Sequence, residues 1–294
     1  FMATTKIQAA PQTAKRSFSA GSVISAIGRW IVRNRIYLIA FAIPAVLTYL
    51  AYALFGLYPF GEESVLCLDL NGQYVYYFEA LRDAFWGDGS IFYNWSRNLS
   101  GEFMGIIGYY LASPFTLIVM LLPEKFMLSS LLIMQLCKLG AAGATFNYFL
   151  QKRRGVQPYP SLLFSTMYAM MAYGVIQLID PMWLDGLVFL PLIMLGIEYL
   201  VDDGRRLNFI IPLALMCVAN FYIGYMICFF VILYFLFYLC FGSDKKRKGY
   251  DYFTAFVRIA YSSVIALACA AFMLLPVYNA LKLGKFEFTD PDYS

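Results

Sequence analysis

The chain contains no histidine, and charged residues make up only 14% of its 294 positions. Without histidine there is no Ser-His-Asp or Cys-His nucleophilic centre, no His-ligated zinc and no His-based pH switch. The six cysteines form no CxxC pair, and Cys137, Cys217, Cys228, Cys240 and Cys269 lie in apolar runs. They read as small hydrophobes, and the lone Cys67 in a polar stretch argues against a disulfide-built ectodomain. No fixed-period repeat, low-complexity tract or phosphate-cradling Gly-rich loop occurs, and no apolar segment ends in a small-residue cleavage site.

What is abundant is apolar. Hydrophobic residues reach 61%, aromatic residues 19%, and the mean hydropathy is +0.66. A soluble domain has about 45–50% apolar and about 25% charged residues. The composition therefore predicts an all-α polytopic membrane protein embedded in a lipid bilayer. No nucleic-acid partner is expected.

The charges set the sidedness. Residues 1–35 carry Lys6, Lys15, Arg16, Arg29, Arg33 and Arg35 with no acid, which predicts a cytoplasmic N-terminal segment. A membrane domain of about seven spans is expected over 36–276, with a large outer loop at 58–125 rich in Asp and Glu. Residues 277–294 read as the start of a further outer segment, so the chain is expected to be the N-terminal part of a longer protein. The run Met104–Leu122 is the decisive one. If it crossed the membrane, Lys152-Arg153-Arg154 would lie outside; if it is interfacial or re-entrant, they lie inside, and the second alternative is chosen. The apolar run Asn208–Phe241 would be about 51 Å long as one helix, against a hydrocarbon core of about 30 Å. It also has basic clusters at both ends. A hairpin turning around Asn220–Gly224 satisfies both facts.

Within the first loop, Leu70, Tyr74, Tyr77, Phe78, Leu81 and Phe85 recur at helical spacing, with Asp69, Gln73, Tyr76 and Ala80 on another face. This predicts an amphipathic helix on the membrane surface. Asp69 either caps that helix or stands as a carboxylate at the water–lipid boundary, able to act as base or to hold a divalent cation (Mg or Mn) near a phosphate. Arg97 is either a phosphate clamp or a solvated loop charge. Asp180 and Asp185 flank a short outer turn, either as acids of the site or as helix ends. Lys138 lies mid-span, where an ionisable side chain is costly; it can reach a lipid phosphate or pair with an acid such as Glu198. Asn220 and Tyr222 place polar groups at the hairpin turn, as ligand contacts or as a cap and an interfacial aromatic.

The motifs DLNGQY, YNWSRNLSGEF, GYYLASPFTLIVMLLP, LCKLGAAGATFNYFL and NFYIGYM, in that order, resemble those of the bacterial YfhO-type membrane proteins of the GT-C glycosyltransferase superfamily. The resemblance covers nearly the whole chain from the first span onward. It implies a GT-C-like helical bundle whose first extracytoplasmic loop carries amphipathic helices and a catalytic acid, matched here by Asp69. It also implies a multi-pass protein of the bacterial cell membrane with an extracytoplasmic active site. The donor would be a polyprenyl-phosphate-linked sugar and the acceptor a glycopolymer or lipid such as teichoic or lipoteichoic acid. The second acid maps to Asp180 or Asp185, the donor phosphate contacts to Arg97 and Lys138, and substrate contacts to Gln73, Tyr76, Asn220 and Tyr222. The competing reading is a transporter or flippase of lipid-linked sugars, for which Lys138 and the broken hairpin would mark a pathway.

Overall fold

The computed structural model describes residues 20–95, 101–243, 245 and 248–284. Arg97 lies outside the described residues, as do the ends of the chain. The protein is all-α. Residues 1–35 and 36–294 form separate compact units.

Helix α1 covers Ala20–Leu54. Pro44 sits inside it and leaves the Ala40 carbonyl without its usual N–H partner. A neighbouring helix closes over that point: a Cβ on Gly143 would stand 2.5 Å from the Ala40 oxygen, so only glycine permits the approach.

The first loop begins with a π-helical turn, Leu70–Tyr74, which runs into α2, Val75–Trp86. A two-residue ribbon follows, β1 Tyr93–Asn94 antiparallel to β2 Gly101–Glu102. The run 104–122 is broken into α3 (Met104–Ile106), a π turn at Ile107–Leu111 and α4 (Thr116–Leu121). None of these pieces approaches the roughly 20 residues needed to cross a bilayer.

Then come α5 (Met127–Arg153), α6 (Pro158–Ala169), α7 (Ala172–Ile176), α8 (Leu184–Asp203), α9 (Leu207–Ala219), α10 (Phe221–Phe237) and α11 (Gly249–Gly284). Five helical stretches among the described residues are long and apolar enough to cross a membrane: Ile24–Leu54, Glu124–Arg153, Pro181–Asp203, Phe221–Gly242 and Gly249–Lys282. The two other stretches read from the sequence as spans are shorter. The first is split into α6 and α7, and α9 has 13 residues.

The run Asn208–Phe241 folds back on itself. Asn220 has extended backbone, φ −157° and ψ 111°, and its Oδ1 accepts from Ile223 N at 2.8 Å, capping α10. A Cβ on Gly224 would be 3.0 Å from the Cys217 Cα, a contact that only a tight reversal creates.

Two cores result. One joins α8, α9, α10 and α11 around Ile193, Ile197, Phe209, Leu213 and Ala266. The other lies beneath the first loop, where Leu70, Tyr74, Phe78 and Leu81 meet Phe103, Leu111, Val119 and Met120, with Leu131 and Met134 of α5 and Met273 and Val277 of α11. The apolar stripe of α2 from Val75 to Leu81 is thus covered by protein. Phe85, expected in that stripe, is 62% exposed. Arg82 fixes the docking: its Nη1 donates to the carbonyls of Val119, Met120 and Leu122, unsatisfied by α4 at its C-terminal end. Trp86 Nε1 adds a bond to Met120 O at 3.0 Å.

At the opposite end of the bundle, the C-terminal turns of α5 and α8 are tied to α10. Glu198 is fully buried and accepts from Arg153 Nε at 2.7 Å, Arg154 Nη2 at 2.5 Å and the Tyr234 hydroxyl at 2.5 Å. Asp202 accepts from Arg153 and, at 2.6 Å, from the Tyr238 hydroxyl. Glu198 is therefore not the partner of Lys138.

Candidate functional site

Two polar assemblies lie between the first loop and the helix ends beneath it. The first centres on Tyr74. Its ring is buried, 6% exposed, and packs on Tyr110 with centroids 5.1 Å apart. Its hydroxyl donates to Asp180 Oδ1 at 2.8 Å and lies 3.3 Å from Asp69 Oδ2. Asp69 is exposed and Asp180 half-buried. Two acids from distant parts of the chain therefore share one phenol. The π turn brings this about. In an α-helix, residues five apart face away from each other, whereas a π turn bonds i to i+5 and stacks them. Asp69 precedes the turn and its side chain makes no capping bond. Burial, the bond to Asp180 and the nearby acids push the Tyr74 phenol well above its ordinary pKa, so it stays protonated as a donor.

Tyr109 and Tyr110 extend this assembly. Tyr110 also packs on Tyr77, and Tyr109 on Phe221 and Tyr222. Asn220 Nδ2 donates to Tyr109 O at 2.8 Å, so the hairpin turn holds the π turn of the 104–122 segment. Asn220 is fully buried, while Gln73, Tyr76 and Tyr222 are exposed.

The second assembly lies deeper, about 16 Å along α5 from its first residue. Lys138 Nζ bonds Asp185 Oδ2 and Pro181 O, each at 2.8 Å, and Ser113 Oγ bonds Asp185 Oδ1 at 2.8 Å. Lys138 is 1% and Asp185 0% exposed. The ammonium also lies 5.7 Å from the Phe115 ring centroid. The structure therefore separates the two candidate acids: Asp180 joins Asp69 at the surface, and Asp185 joins Lys138 inside. Sequence reasoning used Ser113 only as a polar residue that breaks an apolar run, not as a site residue, and used Tyr74 only as an apolar residue. The signal for Ser113 was its place in a Ser-Pro break within an apolar run.

Among the described residues no group of three or more Asp, Glu or Cys is placed to hold a metal ion. Asp69 and Asp180 are two carboxylates converging on one phenolic oxygen, a donor set that suits a magnesium-like ion completed by water and phosphate.

The family model described as "Bacterial membrane protein YfhO" matches residues 40–292. The chain belongs to the YfhO family. A YfhO relative, "Uncharacterized protein YfhO" of Bacillus subtilis (strain 168), is 27% identical over 168 residues. The match covers 51% of this chain and 19% of that relative. The chain thus corresponds to a small share of the curated YfhO protein it matches. No solved structure matches it. The matched range includes the first loop, the re-entrant segment and every helix from α2 to α11, and so both polar assemblies.

Proposed function

We propose that this chain is the membrane module of a glycosyltransferase that moves a sugar from a polyprenyl-phosphate donor to an extracytoplasmic acceptor such as a teichoic or lipoteichoic acid. The observation that carries the reading is the convergence of Asp69 and Asp180 on Tyr74, at the end of the bundle where the first loop covers the apolar helices. A lipid-linked donor needs apolar helices for its chain and an acidic centre just above them. Asp69, exposed, takes the proton of the acceptor hydroxyl. The acceptor oxygen bonds the anomeric carbon, the bond from that carbon to the phosphate oxygen breaks, and its electron pair leaves with the polyprenyl phosphate. Asp69 and Asp180 would hold a divalent cation, which would supply charge neutralisation for the departing phosphate. Gln73, Tyr76 and Tyr222 are exposed and are assigned to substrate. Lys138 and Asp185 have spent their bonds on each other, so they are assigned to holding the re-entrant segment under the site. With Arg153, Arg154, Arg205 and Arg206 at the opposite end, this orientation keeps the basic end of the bundle cytoplasmic.

The test uses the full-length protein in liposomes. Undecaprenyl-phosphate glucose, galactose and N-acetylglucosamine serve in turn as donors, with lipoteichoic acid as acceptor. Sugar transfer is expected with at least one donor. Asp69→Asn should lower it by at least about a hundredfold, the lower end of what a general base contributes. Near-normal transfer by correctly inserted Asp69→Asn would refute the assignment. Donor movement across the bilayer without transfer would favour the flippase.

A further inference from the structure

Beyond the last residue of α5 the chain turns through Gly155, φ +60°, into α6, which begins at Pro158. The two helices leave a groove of about 500 Å³ between them. Leu150, the loop residue Val156, Phe164 and Met167 line it, together with the stacked rings of Phe146 and Tyr168, whose centroids are 4.2 Å apart. The Tyr168 hydroxyl is spent on Leu187 O at 2.9 Å. Among the residues lining the groove only Arg154 is charged. It stands about two turns from Phe146, roughly 12 Å along α5.

We propose that this groove binds an anionic glycerophospholipid, with an acyl chain lying between α5 and α6 and the phosphate on Arg154. The site lies at the opposite end of the bundle from Asp69 and Asp180 and does not depend on the sugar-transfer reading.

The walls argue for the chain. Leu163, Phe164 and Met167 give α6 an exposed apolar face, which in a membrane protein meets lipid. An apolar groove open to a bilayer fills with hydrocarbon, because water there would find no polar partners. Its volume is within the range of about 300–1,000 Å³ usual for ligand pockets.

The charges argue for the anionic head. Glu198 already accepts from Arg153 Nε and the Tyr234 hydroxyl, so its charge is met without Arg154. Arg154 bonds Glu198 and Tyr234 through Nη2, and a guanidinium has five N–H donors. With the side chain 41% exposed, the other donors are left for a phosphate, which a guanidinium meets bidentately. Lys152, Arg205 and Arg206 add positive charge at the same end. On the orientation proposed above, the groove opens to the cytoplasmic leaflet, where anionic lipids attract basic residues.

The test is native mass spectrometry of the full-length protein, titrated in detergent with dioleoyl phosphatidylglycerol, dioleoyl phosphatidylethanolamine or undecaprenyl phosphate. Wild type should hold one phosphatidylglycerol that Arg154→Gln binds about tenfold or more weakly, as loss of bonds to a charged group implies. Phosphatidylethanolamine binding should be the same in both. Arg154→Gln also breaks a bond to Glu198, so a second variant leaves that cluster intact. Val156→Trp enlarges a half-buried side chain of the groove and should weaken the same phosphatidylglycerol about fivefold or more. Lys152→Gln removes a charge from the same end but outside the groove, where the ammonium lies 5.8 Å from the Tyr148 ring centroid. It should change binding no more than about a few-fold, the reach of an exposed charge. Unchanged phosphatidylglycerol binding by Val156→Trp overturns the proposal, as does a loss in Lys152→Gln equal to that in Arg154→Gln. An equal loss of phosphatidylethanolamine in Arg154→Gln overturns the anionic head. Undecaprenyl phosphate bound as tightly as phosphatidylglycerol, and lost in the same variants, overturns the choice of a glycerophospholipid.

Discussion

Removing the charge of Asp185 should unfold this protein more readily than removing the whole ion pair. Asp185→Asn keeps the shape of the side chain and can still accept from Ser113, but it leaves the Lys138 ammonium without a counter-charge at 1% exposure. Breaking a buried pair from one side costs about 3–5 kcal/mol, because the surviving charge has lost both water and partner. Lys138→Met/Asp185→Leu removes both charges and fills similar volume, and such replacements are commonly neutral or better. What remains in the double variant is the loss of one acceptor for Ser113 and one donor for Pro181 O, about 1 kcal/mol each. The expected order of stability is therefore wild type, then the double variant within about 2 kcal/mol, then Asp185→Asn, lowest by about 3–5 kcal/mol. Equilibrium unfolding in mixed micelles, followed by helicity, measures it. If Asp185→Asn is as stable as wild type, or the double variant is the least stable, the pair is not the internal tie described above.

Two further outcomes follow from other parts of the fold. In a Cys-free background, a cysteine at Glu124 should react with an impermeant reagent from outside and one at Arg154 only from inside, because the segment 104–122 is too broken to span; reaction of the Glu124 site from the cytoplasm would refute the topology. Glu79 is pushed above its ordinary pKa by burial, then by Glu124 and Asp83. The folded state therefore holds that proton more tightly, and the penalty of ionised Glu79 is absent at low pH and present at neutral pH. Glu79→Gln should accordingly stabilise the protein at pH 7, by about 0.2–0.5 kcal/mol from the contact with Asp83 one turn away. The gain should vanish as the pH falls below the ordinary carboxylate range, and thermal unfolding at two pH values checks it.

Much of the architecture was readable because long apolar runs and charged ends have one interpretation in a bilayer. Asn220 stood out as the polar break in a run too long for one helix, and it is the turn. The run Met104–Leu122 was set apart by the charges of Lys152, Arg153 and Arg154, and it breaks at its own Gly, Tyr, Ser and Pro residues. Other features were not readable, for definite physical reasons. An apolar stripe such as Leu70, Tyr74, Phe78 and Leu81 fits lipid and protein equally well, so the sequence could not say which covers it. The partner of Lys138 could not be read because every acid at the right depth qualified until α5 and α8 were packed together. Helical spacing separated Tyr74 from Asp69, and only the π turn, which has no sequence signature here, reunites them.

The charged cluster at the basic end has a mechanical consequence. Glu198 and Asp202 fasten α5, α8 and α10 with charge-assisted bonds, several of them shielded from water, and such bonds do not stretch cheaply. Toward the loop end α5 and α8 are joined by the Lys138–Asp185 pair, whereas Asn220, at the start of α10, is held to the 104–122 segment by the bond from its Nδ2 to Tyr109 O. Movement of α10 would therefore pivot on Glu198 and Asp202, with its largest amplitude at the Asn220 end. A displacement at that end would widen the mouth while the base stayed shut.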